Sequence, residues 1–251
     1  MPDELVFYTH PLSRGRIVRW MLEEVGAPYR TEVIDYDTTM KAPAYLAINP
    51  MGKVLAIRHG ETVVTEGAAI CAYLADAFPQ AGLAPPPGSK LRGPYYRWLF
   101  FAAGPVEAAI TMKALGFEAP AERERMVGYG RLATVIDTLE SAVSQSPYLV
   151  GDTFTAADVY VGSHIGFGME FGTIDRRPVF ERYWDRNQQP PRRGARPRHR
   201  RRAWRQAAAA EAGGRLISGA PPGSRARCAQ ASPACRYARC RAAPVRRGSR
   251  G

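Results

Sequence analysis

The order of strand and helix patterns in the first 80 residues restricts the fold of this chain most. A short apolar strand is predicted over residues 5–8, and apolar side chains at helical spacing follow from Arg14 to a stop at Gly26. A second strand is predicted over residues 29–34. Because one helix links the two strands, we expect them to pair in parallel through a right-handed crossover.

The stretch from residue 44 to residue 78 completes this unit. A short helix is predicted over residues 44–48, and a hairpin of two strands, 54–57 and 61–64, turns at His59 and Gly60. A further helix is predicted over residues 66–78. The predicted order is therefore βαβαββα, which is a complete α/β layer.

The start of that last helix is a candidate ligand site. Its first amides, at Glu66 and Gly67, lie at the positive end of the helix dipole and suit a carboxylate. The backbone around Val54 is placed to pair with an extended peptide. If a ligand binds here, a small acidic peptide fits these features best, but from the spacing alone we favour a purely structural role for the same residues.

The composition changes after residue 80. A Pro-rich stretch over residues 81–89 indicates a linker, and beyond it only helical patterns remain. Helices are predicted over residues 90–115, 122–143 and 178–186. Thr155 and Asp158 form a predicted capping box, which marks the start of one more helix. We therefore predict an α/β domain at residues 1–80 and an all-α domain at residues 90–186.

The positive charge of the chain belongs to its last 65 residues. From Asn187 onwards there are seventeen Arg, no Lys and one acid, Glu211, so this tail carries a charge of +16. Since the whole chain carries +12, residues 1–186 carry −4. The tail, residues 187–251, has few residues to bury and is predicted to be disordered. Two explanations compete, a basic arm for nucleic acid and out-of-frame translation of a GC-rich gene, and we favour the second.

Cysteine usage and hydropathy indicate a cytoplasmic protein without a metal site. Cys71 lies in an apolar helical run, where a buried inert thiol is expected, and Cys228, Cys235 and Cys240 lack the spacing of a zinc site. No apolar run is long enough to span a membrane, and the N-terminus lacks the basic region of a signal peptide.

The loop before the first helix holds a hydroxyl. Ser13 is predicted to be the N-cap of that helix, so its hydroxyl either accepts the helix's own amides or points at a ligand held over the same positive end.

Four stretches in this order resemble the cytosolic glutathione transferases. They are PLSRGRIVRWMLEE at residues 11–24, YLAINPMGKV at 45–54, EGAAICAYL at 66–74 and FTAADV at 154–159. The resemblance covers residues 1 to about 186. It implies a thioredoxin-like first domain, a helical second domain, a homodimer, and detoxification of small electrophiles with glutathione as co-substrate.

The resemblance also assigns site residues. Glu66 and Gly67 would bind the γ-glutamyl end of glutathione, the Val54 backbone would pair with its cysteinyl unit, and Lys53 would reach a carboxylate. A hydroxyl would stabilise the thiolate, with Ser13 as first choice and Thr9 as second. Since no Cys occupies this loop, nucleophilic addition or displacement fits better than disulfide reduction. An apolar substrate is expected between the Leu12 loop and the aromatic helix after Lys90.

Two positions depart from the family pattern. Leu55 stands where the family has a cis-proline, so the preceding bond is either trans, with the Val54 amide misdirected, or cis at a cost of ~2.5 to 4 kcal/mol. Gly67 lacks the hydroxyl of the usual Ser or Thr. The rival hypotheses are accordingly a non-catalytic binding or interaction protein on the same fold, and nucleic-acid association through the tail.

Overall fold

A computed structural model describes residues 3–188 of the chain. Its first part forms a four-stranded sheet in the order β2-β1-β3-β4. β1 pairs with β2 in parallel and with β3 antiparallel, and β3 pairs with β4 antiparallel. The strands are β1 (Leu5–Thr9), β2 (Arg30–Val33), β3 (Ala56–His59) and β4 (Thr62–Thr65).

Three helices accompany the sheet and confirm the predicted βαβαββα order. They are α1 (Gly15–Val25), α2 (Pro43–Leu46) and α3 (Gly67–Ala77). α1 ends at Gly26, whose φ of +69° lies in the left-handed region, where glycine carries no Cβ penalty. The parallel pairing of β1 with β2, predicted from the helix between them, is also confirmed.

Alternate side chains along the strands face opposite sides of the sheet and pack into two separate cores. Phe7 and Ile57 are fully buried in the main core, which also holds the inner faces of α1 and α3. Tyr8 and Ala56 point to the other face, where a smaller core contains Tyr45 of α2. This alternation is the period of two that a pleated strand requires. Both faces of the sheet are therefore covered.

The rest of the described chain is helical. Its helices are α4 (Arg92–Phe101), α5 (Glu107–Ala114), α6 (Leu132–Gln145), α7 (Ala156–Phe171) and α8 (Pro178–Asn187). A π-helical turn, Ala102–Val106, joins α4 to α5 and contains Pro105, so the predicted long helix continues through a local widening. The fold is thus thioredoxin-like in its first part and helical in its second, as predicted.

Two sequence predictions about element bounds were wrong. The hairpin turns at Gly60 and Glu61 rather than at His59 and Gly60, because His59 still pairs with Thr62. The helix predicted over residues 122–143 is interrupted: Ala121–Met126 forms a 3₁₀ helix, and α6 begins only at Leu132. Gly130, at φ +65°, lies in the break between them.

α7 is the central helix of the second part. The capping box predicted at Thr155 and Asp158 is confirmed and starts α7, which is buried along most of its length and packs against both α1 and α3. Asp158 is fully buried and accepts hydrogen bonds from the amides of Leu149 and Thr155 and the hydroxyl of Tyr183. This network fixes where α7 begins.

Several predictions concern features away from the sheet. Cys71 is fully buried, and burial raises the pKa of its thiol, as expected for an inert core cysteine. The tail predicted to be disordered lies outside the described residues, apart from its first two. None of the helices described within residues 3–188 is long and apolar enough to cross a membrane.

Candidate active site

The sheet register brings three candidate segments to one end of the sheet. Tyr8 of β1 pairs with Ala56 of β3, and Ala56 also pairs with Thr65 of β4. The next residues beyond this row are Thr9, Leu55 and Glu66. The Ser13 loop after β1, the Val54 turn before β3 and the start of α3 are therefore neighbours at the same end.

The Ser13 hydroxyl is engaged with the loop that holds it. Its Oγ donates to the His10 carbonyl at 2.6 Å and accepts the Gly15 amide at 3.0 Å. The N-cap position of α1 is Arg14, so the prediction that Ser13 is the N-cap was wrong by one residue. The Ser13 hydroxyl nevertheless accepts the first helical amide, which is one of the two roles that the sequence left open.

Thr9 lies beneath the start of α1 and is 3% exposed. A Cβ at Gly15 would lie 1.9 Å from the Thr9 Oγ1, so Thr9 and the first residue of the helix are in close contact. Ser13 is half-buried by comparison. Of the two candidate hydroxyls, Ser13 is thus the more accessible.

The Leu12 side chain is 72% exposed beside this loop. The aromatic side chain that contacts α1 near the loop belongs to α7: the Arg16 guanidinium lies 5.4 Å from the ring centroid of Phe167. Phe171, one turn further, is 70% exposed. Exposed apolar side chains are therefore present on the Leu12 loop and on α7, while the aromatic helix after Lys90 stays a prediction as the other wall of the pocket.

The start of α3 has no side-chain cap. Glu66 occupies the N-cap position with φ +65°, the only positive φ of a non-glycine residue among residues 3–188. No described side chain or backbone carbonyl accepts the amides of Gly67 and Ala68. A strained residue before uncapped amides is typical of a ligand-binding helix terminus.

The turn before β3 is held by three side chains. The Lys53 carbonyl accepts hydrogen bonds from Tyr45 Oη at 2.8 Å and Asn49 Nδ2 at 2.7 Å, and Lys41 Nζ donates to the Gly52 carbonyl at 2.7 Å. The Lys53 side chain itself is exposed. The turn is therefore fixed while its charged side chain stays available.

The backbone of Val54 is available for pairing. Its amide and carbonyl make no hydrogen bond to another backbone group within residues 3–188. The Val54–Leu55 peptide bond is cis, which is one of the two alternatives that the sequence left open for Leu55. An extended peptide laid against Val54 would find a free donor and a free acceptor.

A polar cluster around the buried His164 lies beside the same helix termini. Arg14 forms an ion pair with Glu107 Oε1, and the other carboxylate oxygen lies 3.8 Å from His164 Nδ1. Glu107 Oε2 and His164 Nε2 are buried without a hydrogen-bond partner among the described residues. Burial, with a smaller contribution from Arg14, lowers the pKa of His164 to about 4, so the imidazole is neutral.

Tyr160 completes this cluster and contacts α3. Its ring packs edge-on against His164 with centroids 4.9 Å apart. Burial raises the pKa of Tyr160 to about 12, while nearby Arg14 lowers and nearby Glu66 raises it. Tyr160 therefore lies between the start of α1 and the start of α3.

Sequence reasoning missed this cluster and Lys41. Tyr160 and His164 lie at i, i+4 spacing inside an apolar run, which predicts core and nothing more. The one sequence feature that could have indicated the cluster is Gly67, because a glycine at this position leaves space for a side chain from another part of the chain. No group of three or more His, Cys, Asp or Glu residues that could hold a metal occurs among residues 3–188.

Comparison with known proteins agrees with this architecture. Residues 14–77 match the family model described as Glutathione S-transferase, N-terminal domain. Glutathione S-transferase F10 of Arabidopsis thaliana is 30% identical over 158 residues, which cover 58% of this chain and 71% of the relative.

Solved structures extend the similarity into the helical part. A glutathione transferase from Methylococcus capsulatus is 29% identical with a TM-score of 0.63, over 83% of this chain and 98% of that one. A sphingomonad glutathione S-transferase complexed with glutathione is 26% identical with a TM-score of 0.62, over 82% and 98%. The fold and site thus define a thioredoxin-like protein with a helical second part. The chain belongs to the glutathione S-transferase family.

Proposed function

We propose that this protein is a glutathione transferase that binds glutathione at the end of the sheet where the Ser13 loop, Val54 and Glu66 meet. The observation that supports it most is the uncapped start of α3 in register with the free backbone of Val54. Glu66 and Gly67 would bind the γ-glutamyl end, whose carboxylate would accept from the free amides of Gly67 and Ala68, and Val54 would pair with the cysteinyl unit. The exposed Lys53 side chain would reach a further carboxylate.

Ser13 is our proposed donor to the glutathione sulfur. Its O–H donates to His10 in this structure, so it must rotate towards the sulfur, while the Gly15 amide can stay bound to its oxygen. A donor to sulfur favours the thiolate over the thiol. The thiol proton leaves to solvent, the thiolate forms a carbon–sulfur bond with the electrophile, and the leaving group departs with its electron pair.

The exposed apolar surface favours small, mostly apolar electrophiles. Leu12 and Phe171 are both more than two-thirds exposed, and the ring of Phe167 lies under the Arg16 guanidinium. An apolar substrate beside the sulfur would bury this surface.

A homodimer in the cytoplasm is part of the same proposal. Tyr96 and Phe100, one turn apart on α4, are 38% and 68% exposed, and a second copy of the chain would cover them. Light scattering coupled to size exclusion measures the mass directly, and a monomer at micromolar concentration would contradict this part.

The test of the proposed reaction is the pKa of the bound thiol. We expect ultraviolet absorbance of the thiolate to show glutathione ionising at lower pH on the protein than in solution, where a thiol has a pKa of about 8.5. Ser13→Ala should raise that pKa and slow conjugation of a chloronitrobenzene at least several-fold. Ser144→Ala, at an exposed position of α6 where Ser144 donates to the Glu140 carbonyl, is the matched control.

Two results would contradict the proposal. Glutathione that binds with an unshifted thiol pKa and no turnover would identify a non-catalytic relative on the same fold. A normal rate in Ser13→Ala would remove Ser13 from the mechanism.

A further inference from the structure

Gly67 is explained by Tyr160 and not by its own backbone. The φ of Gly67 is ordinary for any residue, since it is absent from the positive-φ glycines. A Cβ built at Gly67 would lie 2.9 Å from Cε2 of Tyr160, a distance that real Cβ atoms essentially never show. A side chain at position 67 and the Tyr160 ring therefore exclude each other.

The hydroxyl of Tyr160 occupies the region that a side chain at residue 67 would fill. Its oxygen lies 3.6 Å from the Cβ position of Gly67. A serine or threonine there would carry its own oxygen one bond beyond that Cβ. The Tyr160 ring of α7 thus brings a hydroxyl to the start of α3, where residues 66–69 carry none.

This hydroxyl has no partner within residues 3–188. Tyr160 is 8% exposed, and none of the side chains or backbone groups described there forms a hydrogen bond with its oxygen. The oxygen is not among the fully buried, unpartnered side-chain atoms of residues 3–188, so it reaches solvent at the start of α3 and is open to a ligand acceptor. With a pKa of about 12, the phenol stays protonated and can donate.

We propose that the Tyr160 hydroxyl donates a hydrogen bond to the γ-glutamyl carboxylate of glutathione, together with the amides of α3. This inference rests on the proposed function and adds to it a ligand-binding residue from the helical part. The carboxylate would then accept both from the α3 terminus and from a side chain that Gly67 makes room for.

The test is calorimetric titration of the full chain and its Tyr160→Phe variant with glutathione. A hydrogen bond to a charged group contributes ~1.5 to 3 kcal/mol, so we expect the Kd to rise about 10-fold or more in the variant. Tyr95→Phe is the matched control, because Tyr95 is also a buried tyrosine on a packed helix whose hydroxyl has no described partner. Its Kd should equal that of the wild type.

A second ligand locates the contact. The peptide 4-aminobutanoyl-Cys-Gly lacks the carboxylate of the γ-glutamyl unit. The wild type and Tyr160→Phe should therefore bind this peptide with equal affinity. The double variant Tyr160→Leu with Gly67→Ser should bind glutathione more tightly than Tyr160→Leu alone, because the removed ring leaves space for a hydroxyl on residue 67.

The outcomes separate the two proposals. If the folded wild type does not bind glutathione, the proposed function fails and this inference fails with it. If the wild type binds and Tyr160→Phe binds equally well, only the role of Tyr160 is refuted, and the ring merely fills space. The role of Tyr160 is also refuted if the variant loses equal affinity for both peptides.

Discussion

The buried imidazole of His164 makes a specific prediction about stability and pH. His164 is 3% exposed, and burial lowers its pKa to about 4. The unfolded chain has an ordinary histidine pKa of about 6.5. Because the unfolded state binds a proton that the folded state rejects, the free energy of unfolding must fall as pH falls from about 6.5 towards 4.

The size of the effect follows from the difference between the two pKa values. A difference of about 2.5 units corresponds to ~3 kcal/mol in full, of which most is lost between pH 7.5 and pH 4.5. The groups around His164 are Arg14, Glu107 and Tyr160, and the ion pair between the first two limits the attraction of Glu107 for an imidazolium. A loss of ~2 to 3 kcal/mol is therefore expected from this one residue.

Urea unfolding of the wild type and of His164→Phe at the two pH values isolates this effect. Phe keeps a ring against Tyr160 but cannot titrate, so the variant should lose ~2 to 3 kcal/mol less than the wild type on acidification. Asp158, whose pKa burial raises to about 6, is present in both proteins, so its opposite contribution cancels in the comparison. Equal acid sensitivity of the two proteins would refute the buried neutral imidazole.

Three further changes test the described packing. Asp158→Ala removes the acceptor of four donors at the start of α7 and should lower the free energy of unfolding by ~3 to 5 kcal/mol, measured by urea unfolding at pH 7. Gly15→Ala places a Cβ 1.9 Å from Thr9 Oγ1 and should cost ~1 to 3 kcal/mol in the same assay; an unchanged midpoint would contradict the contact. Lys41→Met removes the hydrogen bond to the Gly52 carbonyl and should raise the KM for glutathione several-fold with little change in Tm.

The sequence predicted the fold because its strongest local patterns agree with the tertiary structure. The β1–α1–β2 order, the hairpin, and the capping box at Thr155 and Asp158 are all set by nearby residues, and all are present. Errors occurred where two local patterns compete. Helical spacing continues across residues 122–143, but Gly128 and Gly130 interrupt the helix there.

The candidate site was predictable only in part, because some of its residues are distant in sequence. Ser13, Val54 and Glu66 follow strands or precede helices, and such positions can be recognised from the chain itself. The contact between Gly67 and Tyr160 joins residues 93 positions apart, and no local pattern specifies it. The ion pair of Arg14 with Glu107 likewise depends on how α1 packs near the start of α5.

The central claim, that the start of α3 and the Val54 backbone bind glutathione, is tested most directly by calorimetric titration of the full chain with glutathione and with Cys-Gly. We predict saturable binding of glutathione with a Kd in the micromolar to low-millimolar range. Cys-Gly, which lacks the γ-glutamyl unit, should bind at least about 10-fold more weakly, because it forgoes ~1.4 kcal/mol or more at the α3 terminus. Absence of heat from a sample that circular dichroism shows to be folded, or equal affinity for the two peptides, would contradict the claim.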